Sequence, residues 1–178
     1  MHKIDEILHS KIKPKDKQAQ LVESIISSEI PIAEFMDYFE SARGADKGAC
    51  ADAMKHISLK KPGLIAPYID TLIRYVNFPL PRVRWGIPES IGNLAKDYPE
   101  LVVNAIPNLL KNTTEDKTNG TVVRWCAAYA LGEIAKNNPG TRADLVPIIN
   151  ELIAKEQNNG VKNVYIKALK AIHKKQVN

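Results

Sequence analysis

Apolar residues recur along most of the chain at the three- and four-residue spacing of an amphipathic helix, and no segment keeps the period-two alternation of a strand. The helical segments come in pairs, and Pro62, Pro99 and Pro139 each stand between one pair and the next. Proline ends the preceding helix and fits the first turn of the next, where a backbone amide would have no partner. The pattern therefore predicts an all-α fold built from helical hairpins.

Part of this pattern is repeated 40 residues later in the chain. The segment Val83–Trp85 recurs as Val123–Trp125. Weaker copies lie on each side, with Lys47 preceding its counterpart by 37 residues and Lys162 following its counterpart by 38. The other positions that match at the offset of 40 are Ile91 and Leu131, Gly92 and Gly132, Leu94 and Ile134, Ala95 and Ala135, and Lys96 and Lys136.

Degenerate outer copies are usual in a repeat array, because the terminal units have a neighbour on one side only. The chain therefore predicts four units, preceded by a helical cap over residues 1–30. The cap and the units are expected to form a single structural domain. The approximate boundaries of the units are 31–61, 62–98, 99–138 and 139–178.

The repeats resemble the HEAT repeat family over roughly residues 31–175. A proline lies near the middle of the first helix in three units, and Val-Arg opens the second helix in two. The resemblance implies a right-handed α-α superhelix, an α-solenoid of about four hairpins, whose second helices line a concave face. The matching residues are Pro67, Pro107, Pro147, Val83-Arg84 and Val123-Arg124.

The chain departs from the family pattern at three places. The acidic residue that the family usually has in the turn between the two helices is clear only at Glu115-Asp116. The loop Asn112–Thr121 is longer than in the family. Pro88 lies within a second helix, where proline predicts a kink or a late start of the helix.

The side of the second helices that points away from the predicted core carries aromatic residues and lysines. If these helices line a concave face, this side would contact a partner, because Trp and Tyr are enriched at binding hot spots. The alternative is structural, since a tryptophan can fill the groove over a glycine of a neighbouring helix, and Gly92 and Gly132 are candidates for that contact. The candidate partner-binding residues are Trp85, Lys96, Trp125, Tyr129, Lys136, Lys167, Lys170 and Lys174.

A row of basic residues runs beside the core on the same helices. The HEAT family commonly pairs this position with the turn acid of a neighbouring repeat, so the resemblance favours a structural ion-pair ladder over a ligand-binding row. The row, called the basic column below, consists of Lys47, Arg84, Arg124 and Lys162.

Composition and motifs narrow the function classes. A formal charge of +5 is compatible with an acidic partner or with nucleic acid but requires neither. His and Cys are scattered without metal-ligand spacing, and the sequence has no Gly-rich phosphate loop and no G-x-S-x-G motif. We therefore predict no catalytic residues, no metal, no cofactor and no small-molecule substrate.

From Val161 onward the chain has lysines and no acid, which fits either an anionic ligand or a soluble end cap.

By analogy of fold, the function expected is a non-enzymatic protein-interaction or scaffold module that binds a protein partner on the concave face. The alternative is nucleic-acid binding, by resemblance to the HEAT-like DNA glycosylases that repair alkylated bases, although no position here matches their catalytic acid. A third possibility is a subunit of a larger solenoid assembly. The N-terminus lacks the apolar core of a signal peptide and no run approaches the ~18 residues of a membrane span, so a cytoplasmic location is predicted.

Overall fold

The computed structural model describes residues 3–114 and 118–177, and in these residues it contains helices, turns and connecting segments but no strand. The all-α class is thus confirmed for the described part of the chain. The helices are α1 (Lys3–Leu8), α2 (Pro14–Ile26), α3 (Ile32–Ser41), α4 (Gly44–Lys60), α5 (Pro62–Ile65), α6 (Ile69–Tyr75), α7 (Pro81–Leu94), α8 (Pro99–Val102), α9 (Ile106–Lys111), α10 (Thr121–Asn137), α11 (Pro139–Lys155) and α12 (Asn159–Val177).

From α3 onward the helices form pairs, each with a second helix that packs on the first. The pairs are α3 with α4, α5 and α6 with α7, α8 and α9 with α10, and α11 with α12. The second helices contact one another in chain order, α4 with α7, α7 with α10 and α10 with α12, and α2 packs against α4. Each later pair also touches the second helix before it, through α5, α8 or α11. Residues far apart in sequence are therefore neighbours across the second helices.

Proline shapes the first helices of the pairs differently. Around Pro67 and Pro107 the helix is divided by a 3₁₀ turn, Ala66–Tyr68 in one pair and Val103–Ala105 in the next. Pro147 instead lies inside the unbroken α11. A proline cannot donate a backbone hydrogen bond and its ring crowds the carbonyl four residues earlier, which accounts for the two interruptions.

Pro88 does not delay its helix. Helix α7 begins at Pro81 and continues through Pro88 to Leu94, so the expected late start is wrong. Pro81 supplies the favoured first-turn residue, and the buried Ile87 and Ile91 hold both sides of Pro88 in the core. Tertiary packing here outweighs the unfavourable helix propensity of proline.

One hydrophobic cluster extends from Ile4 in α1 to Ile172 in α12. Small residues let the second helices approach closely within it. A Cβ atom on Gly86 would stand 2.4 Å from the carbonyl oxygen of Ala51, so α7 lies directly against the backbone of α4 at this point. This close contact fixes the axial position of α7 relative to α4, and thereby of the side chains that both helices expose.

Candidate functional site

Trp125 and Tyr129 form a parallel aromatic pair one turn apart on α10. Their ring centroids are 6.0 Å apart and the ring planes differ by 6°. Trp125 is 36% exposed, while Tyr129 is half-buried. The helix therefore presents one ring of the pair to solvent and holds the other ring against the protein.

Tyr129 is fixed by the neighbouring helix α7. Its hydroxyl donates a hydrogen bond of 2.7 Å to Oδ1 of Asn93, and its ring lies over Gly92, where an added Cβ would stand 2.8 Å from Cε1 of the ring. Burial, followed by the nearby carboxylates of Glu133 and Glu89, raises the pKa of Tyr129 to about 12. The ring over Gly92 is thus that of Tyr129 and not of a tryptophan, and Gly132 meets Cβ of Ala168 instead of a ring.

A groove of about 540 Å³ opens between α10 and α12 beside the aromatic pair. Its floor is narrow because the helices are close there: a Cβ on Gly132 would stand 2.8 Å from Cβ of Ala168. The groove brings together four of the candidate partner-binding residues, Trp125, Tyr129, Lys136 and Lys167, with six residues that are not among those candidates. These additional lining residues are Gly132, Glu133, Gly160, Asn163, Val164 and Ala168.

The two lysines of this groove differ in their surroundings. Nζ of Lys136 lies 2.6 Å from Oε1 of Glu133, one turn earlier on the same helix. Lys167 is exposed, and within the described residues its ammonium group has no ion pair or hydrogen bond. The charge available to a ligand in this groove is therefore that of Lys167. Glu133 could have been suspected from sequence, because it stands three residues before Lys136.

The other candidate residues lie outside this groove. Trp85 is half-buried on α7 and has no ring contact among the described residues. Lys96 is exposed in the turn after α7, since that helix ends at Leu94. Lys170 and Lys174 line a different groove, between α11 and α12. The eight candidates thus do not converge on one surface depression.

Acidic and basic groups meet on the exposed side of α4 and α7 as well. Asp52 accepts hydrogen bonds from the guanidinium group of Arg82, and Nζ of Lys55 lies 3.9 Å from Oε1 of Glu89. The same Glu89 oxygen accepts a 3.4 Å hydrogen bond from the thiol of Cys126 on α10. Burial, followed by Glu89, raises the pKa of the Cys126 thiol well above its usual range. Cys126 is therefore held as an unreactive thiol.

Two residues of the basic column extend their side chains to the segment that connects the two helices of the next pair. Arg124 forms a bidentate ion pair with Glu156, which lies between α11 and α12. The Nε–Oε2 distance is 2.8 Å and the Nη2–Oε1 distance is 3.1 Å. Arg84 donates to the carbonyl oxygen of Thr118 at 2.6 Å and to Oδ1 of Asn119, both between α9 and α10. These side chains are directed between the pairs and not towards solvent. Glu115-Asp116, the expected turn acid, lies outside the described residues.

The ammonium group of Lys47, another member of the basic column, also lies between two pairs of helices, among aromatic rings. Its Nζ atom donates hydrogen bonds to the carbonyl oxygens of Phe39 (2.6 Å) and Glu40 (3.1 Å). The rings of Phe39, Tyr75 and Phe78 surround it, with centroids 4.7, 4.8 and 5.4 Å from Nζ. Burial lowers the pKa of Lys47. Lys162, the last member of the column, is half-buried on α12.

No protein-family model matches this chain, and no curated protein matches it in sequence. In the described part of the chain, no group of three or more His, Cys, Asp or Glu side chains is arranged to hold a metal ion. None of the helices described is both long and apolar enough to cross a membrane.

Proposed function

We propose that this protein is a short HEAT-type α-solenoid, a right-handed superhelix, that acts as a non-enzymatic protein-interaction module. The pairing of the helices supports this architecture, because each second helix packs on the next and each later pair also touches the second helix before it. Structural repeats that contact mainly their neighbours are the defining arrangement of solenoid proteins. The proposed partner-binding face is the exposed side of α4, α7, α10 and α12.

The observation that carries the functional part of this proposal is the position of Trp125. Its ring stacks on the ring of Tyr129, and the hydroxyl group of Tyr129 is hydrogen-bonded to Asn93 on α7. Trp125 also borders the groove between α10 and α12 and is 36% exposed. A rigidly held, exposed tryptophan beside a groove offers a large contact area with little further loss of side-chain freedom. Lys167 adds a positive charge that has no ion pair or hydrogen bond with residues 3–114 or 118–177, so a protein with an acidic contact surface suits the groove.

The test compares the proteins that co-purify with the full chain and with three variants from the same lysate, by quantitative mass spectrometry. Trp125→Ala and Lys167→Glu change the groove, and Leu101→Ala is the matched control, because Leu101 is 41% exposed on the first helix α8. A specific partner should be lost with both groove variants and retained with the control. Truncating a hot-spot tryptophan typically costs 2 kcal/mol or more, about a 30-fold loss in affinity.

Two results would contradict the proposal. One is a set of co-purifying proteins that Trp125→Ala and Lys167→Glu leave unchanged. The other is unfolding of Trp125→Ala, measured by circular dichroism, which would assign Trp125 to the core.

Nucleic-acid binding is the second candidate function, and the absence of acidic residues from α12 favours it. Binding to phosphates releases counterions and weakens steeply with salt. A fluorescence titration with duplex and with single-stranded DNA separates the two candidates. It is made at about 50 and about 200 mM salt, because phosphate binding weakens strongly between these concentrations. Failure to bind either DNA at the lower salt would remove this function.

A further inference from the structure

A second and larger groove lies between α11 and α12, on the side where no later helix of the described chain packs. Its volume is about 1170 Å³, above the usual range of small-molecule pockets. On α11 it extends from Pro139 to Pro147, which corresponds to a rise of about 12 Å, or roughly two helical turns. Its length therefore suits a short helical segment.

The floor of this α11–α12 groove is apolar and incompletely covered. Leu169 occupies the repeat position of Ile91 and Leu131, both of which are 0% exposed, whereas Leu169 is half-buried. Val146 and Ala143 of α11 line the same groove. An apolar side chain that is fully covered in two pairs is thus partly open to solvent in the last pair.

The positions around Leu169 differ from those of the inner pairs. Lys170 stands where α7 and α10 have Gly92 and Gly132, the glycines over which the next helix packs closely. His173 stands where they have Ala95 and Ala135, both 0% exposed. These larger, charged or polar side chains block the close approach of another helical pair of the same kind. They also oppose a second copy of this chain, since a two-fold contact would place lysines against lysines.

The charge around the groove is positive. Lys170 and Lys174 lie one turn apart at its edge, are exposed, and have no hydrogen bond or ion pair within the described residues. The groove-lining residues include no Asp or Glu. The guanidinium group of Arg142 donates from Nε and Nη2 to the carbonyl oxygens of Ala135 and Lys136 at the end of α10, which holds its positive charge in place beside the groove.

We infer that the α11–α12 groove binds an amphipathic helix of an acidic partner protein. Leucine-like side chains of that helix cover Leu169 and Val146, and its flanking Glu or Asp side chains meet Lys170 and Lys174. An apolar floor with a polar, charged rim is the arrangement by which grooves take up amphipathic helices. The groove shares no lining residue with the one beside Trp125, so this inference can fail without the partner contact proposed at Trp125 failing, and the reverse.

The test is a selection with the full chain against a displayed library of 20-residue helical peptides. Each peptide carries Leu at i, i+3, i+4 and i+7, and the flanking positions are drawn equally from Glu, Gln and Lys. Wild-type protein should enrich Glu at the flanks, and the double variant Lys170→Glu/Lys174→Glu should enrich Lys. For one selected Glu-flanked peptide, replacing a single flanking Glu by Gln should weaken binding by about 1.4-fold to fivefold.

Matched variants locate the binding to this groove. Lys175→Glu makes the same charge change as the single variant Lys170→Glu, but on an exposed residue of α12 outside the groove lining, and should retain most of the affinity that Lys170→Glu loses. Ala143→Glu places an acidic side chain on an exposed lining position and should strongly weaken binding of an acidic helix, while Trp125→Ala should leave binding unchanged. If the double variant loses helicity, the single variants Lys170→Gln and Lys174→Gln replace it, since both residues are exposed.

Several results would overturn the inference. No enrichment, or enrichment of Gln or Lys by the wild-type protein, would exclude an acidic helix. Equal losses with Lys175→Glu and Lys170→Glu would show that net charge alone acts. If the protein forms dimers in sedimentation experiments and the peptide dissociates them, the groove would be assigned to a second copy of the chain. Displacement of the peptide by duplex DNA that binds more tightly would assign it to nucleic acid.

Discussion

Arg124 and Glu156, 32 residues apart in sequence, form a buried bidentate ion pair in which each side chain is only 5% exposed. The pair joins α10 to the segment between α11 and α12, and the Arg124 guanidinium also donates a 2.7 Å hydrogen bond to the carbonyl oxygen of Asn119. One arginine thus connects two pairs of helices and the loop before its own helix.

Removing one partner of this ion pair is expected to destabilise the protein strongly. Arg124→Met leaves the Glu156 carboxylate buried without its main donor, which typically costs about 3–5 kcal/mol. Urea unfolding followed by circular dichroism measures the change. Arg82→Met is the matched control, because the Arg82–Asp52 pair is more exposed and should contribute only about 0–1 kcal/mol. Equal losses for the two variants would contradict the buried contact.

The same pair predicts how stability depends on pH. Burial alone would raise the pKa of Glu156, but hydrogen bonds from Arg124 and from the backbone of Asn158 outweigh it, so the pKa is lowered. A carboxyl group with a lowered folded-state pKa stabilises the protein above its unfolded value, about 4.3 for Glu, and loses that contribution as the pH falls through the folded pKa. The stability difference between wild type and Glu156→Gln should therefore shrink between pH 7 and pH 3. A constant difference would exclude this coupling.

Lys47 is expected to stabilise the fold through the groups that surround its ammonium. Lys47→Met keeps the length of the side chain but leaves the carbonyl oxygens of Phe39 and Glu40 without this donor and removes the contacts with three rings. Buried acceptors left unpaired cost about 1–3 kcal/mol. Thermal and urea unfolding of Lys47→Met, beside Lys60→Met at an exposed site on the same helix, provides the comparison. A variant as stable as wild type would show that these bonds contribute nothing net.

Gly86 and Gly92 are expected to resist substitution although both lie in a helix. Alanine normally improves an exposed helix interior by roughly 1 kcal/mol, but here its Cβ would collide with Ala51 or with the ring of Tyr129. Overpacking of this kind typically costs about 1–3 kcal/mol. Gly86→Ala should cost more, because a backbone atom cannot move as readily as a ring. Gly140→Ala, which meets only an ordinary contact at 3.4 Å, is the control and should be neutral or stabilising.

Trp125 and Tyr129 should differ in their effects on stability. Trp125→Ala removes a ring at the surface and should cost about 1 kcal/mol or less beyond its stacking contact. Tyr129→Ala removes a half-buried ring from Gly92 and the hydrogen bond to Asn93, and should cost about 3 kcal/mol or more. Unfolding in urea compares the two variants, and a reversed order would contradict the roles given to these rings.

The all-α class and the helical pairs could be predicted from sequence because apolar spacing and proline positions are local signals. Other features depend on two helices at once. Trp125 and Tyr129 lie on the same side of α10, and only the position of Gly92 on α7 distinguishes them. Lys96 and Lys136 match in the repeat, yet α7 ends before Lys96 and α10 extends past Lys136.

The partner of Arg124 shows the same limit. The family pattern drew attention to Glu115-Asp116, whereas the carboxylate that meets Arg124 is that of Glu156 in the next interhelical segment. Glu156 stands 40 residues after Asp116, the same offset as between the repeats, so the sequence could have indicated it, but only the packing of α10 against α11 and α12 brings it to Arg124. The groove between α11 and α12 was missed for a related reason, since a depression belongs to no single helix.

The main contacts of each second helix are with the one before it and the one after it. A molecule that settles between α10 and α12 would therefore perturb those two helices and leave the surroundings of α2 and α4 nearly unaltered. A substitution in one pair is therefore expected to act mainly on the adjoining pairs and little on helices further along the array.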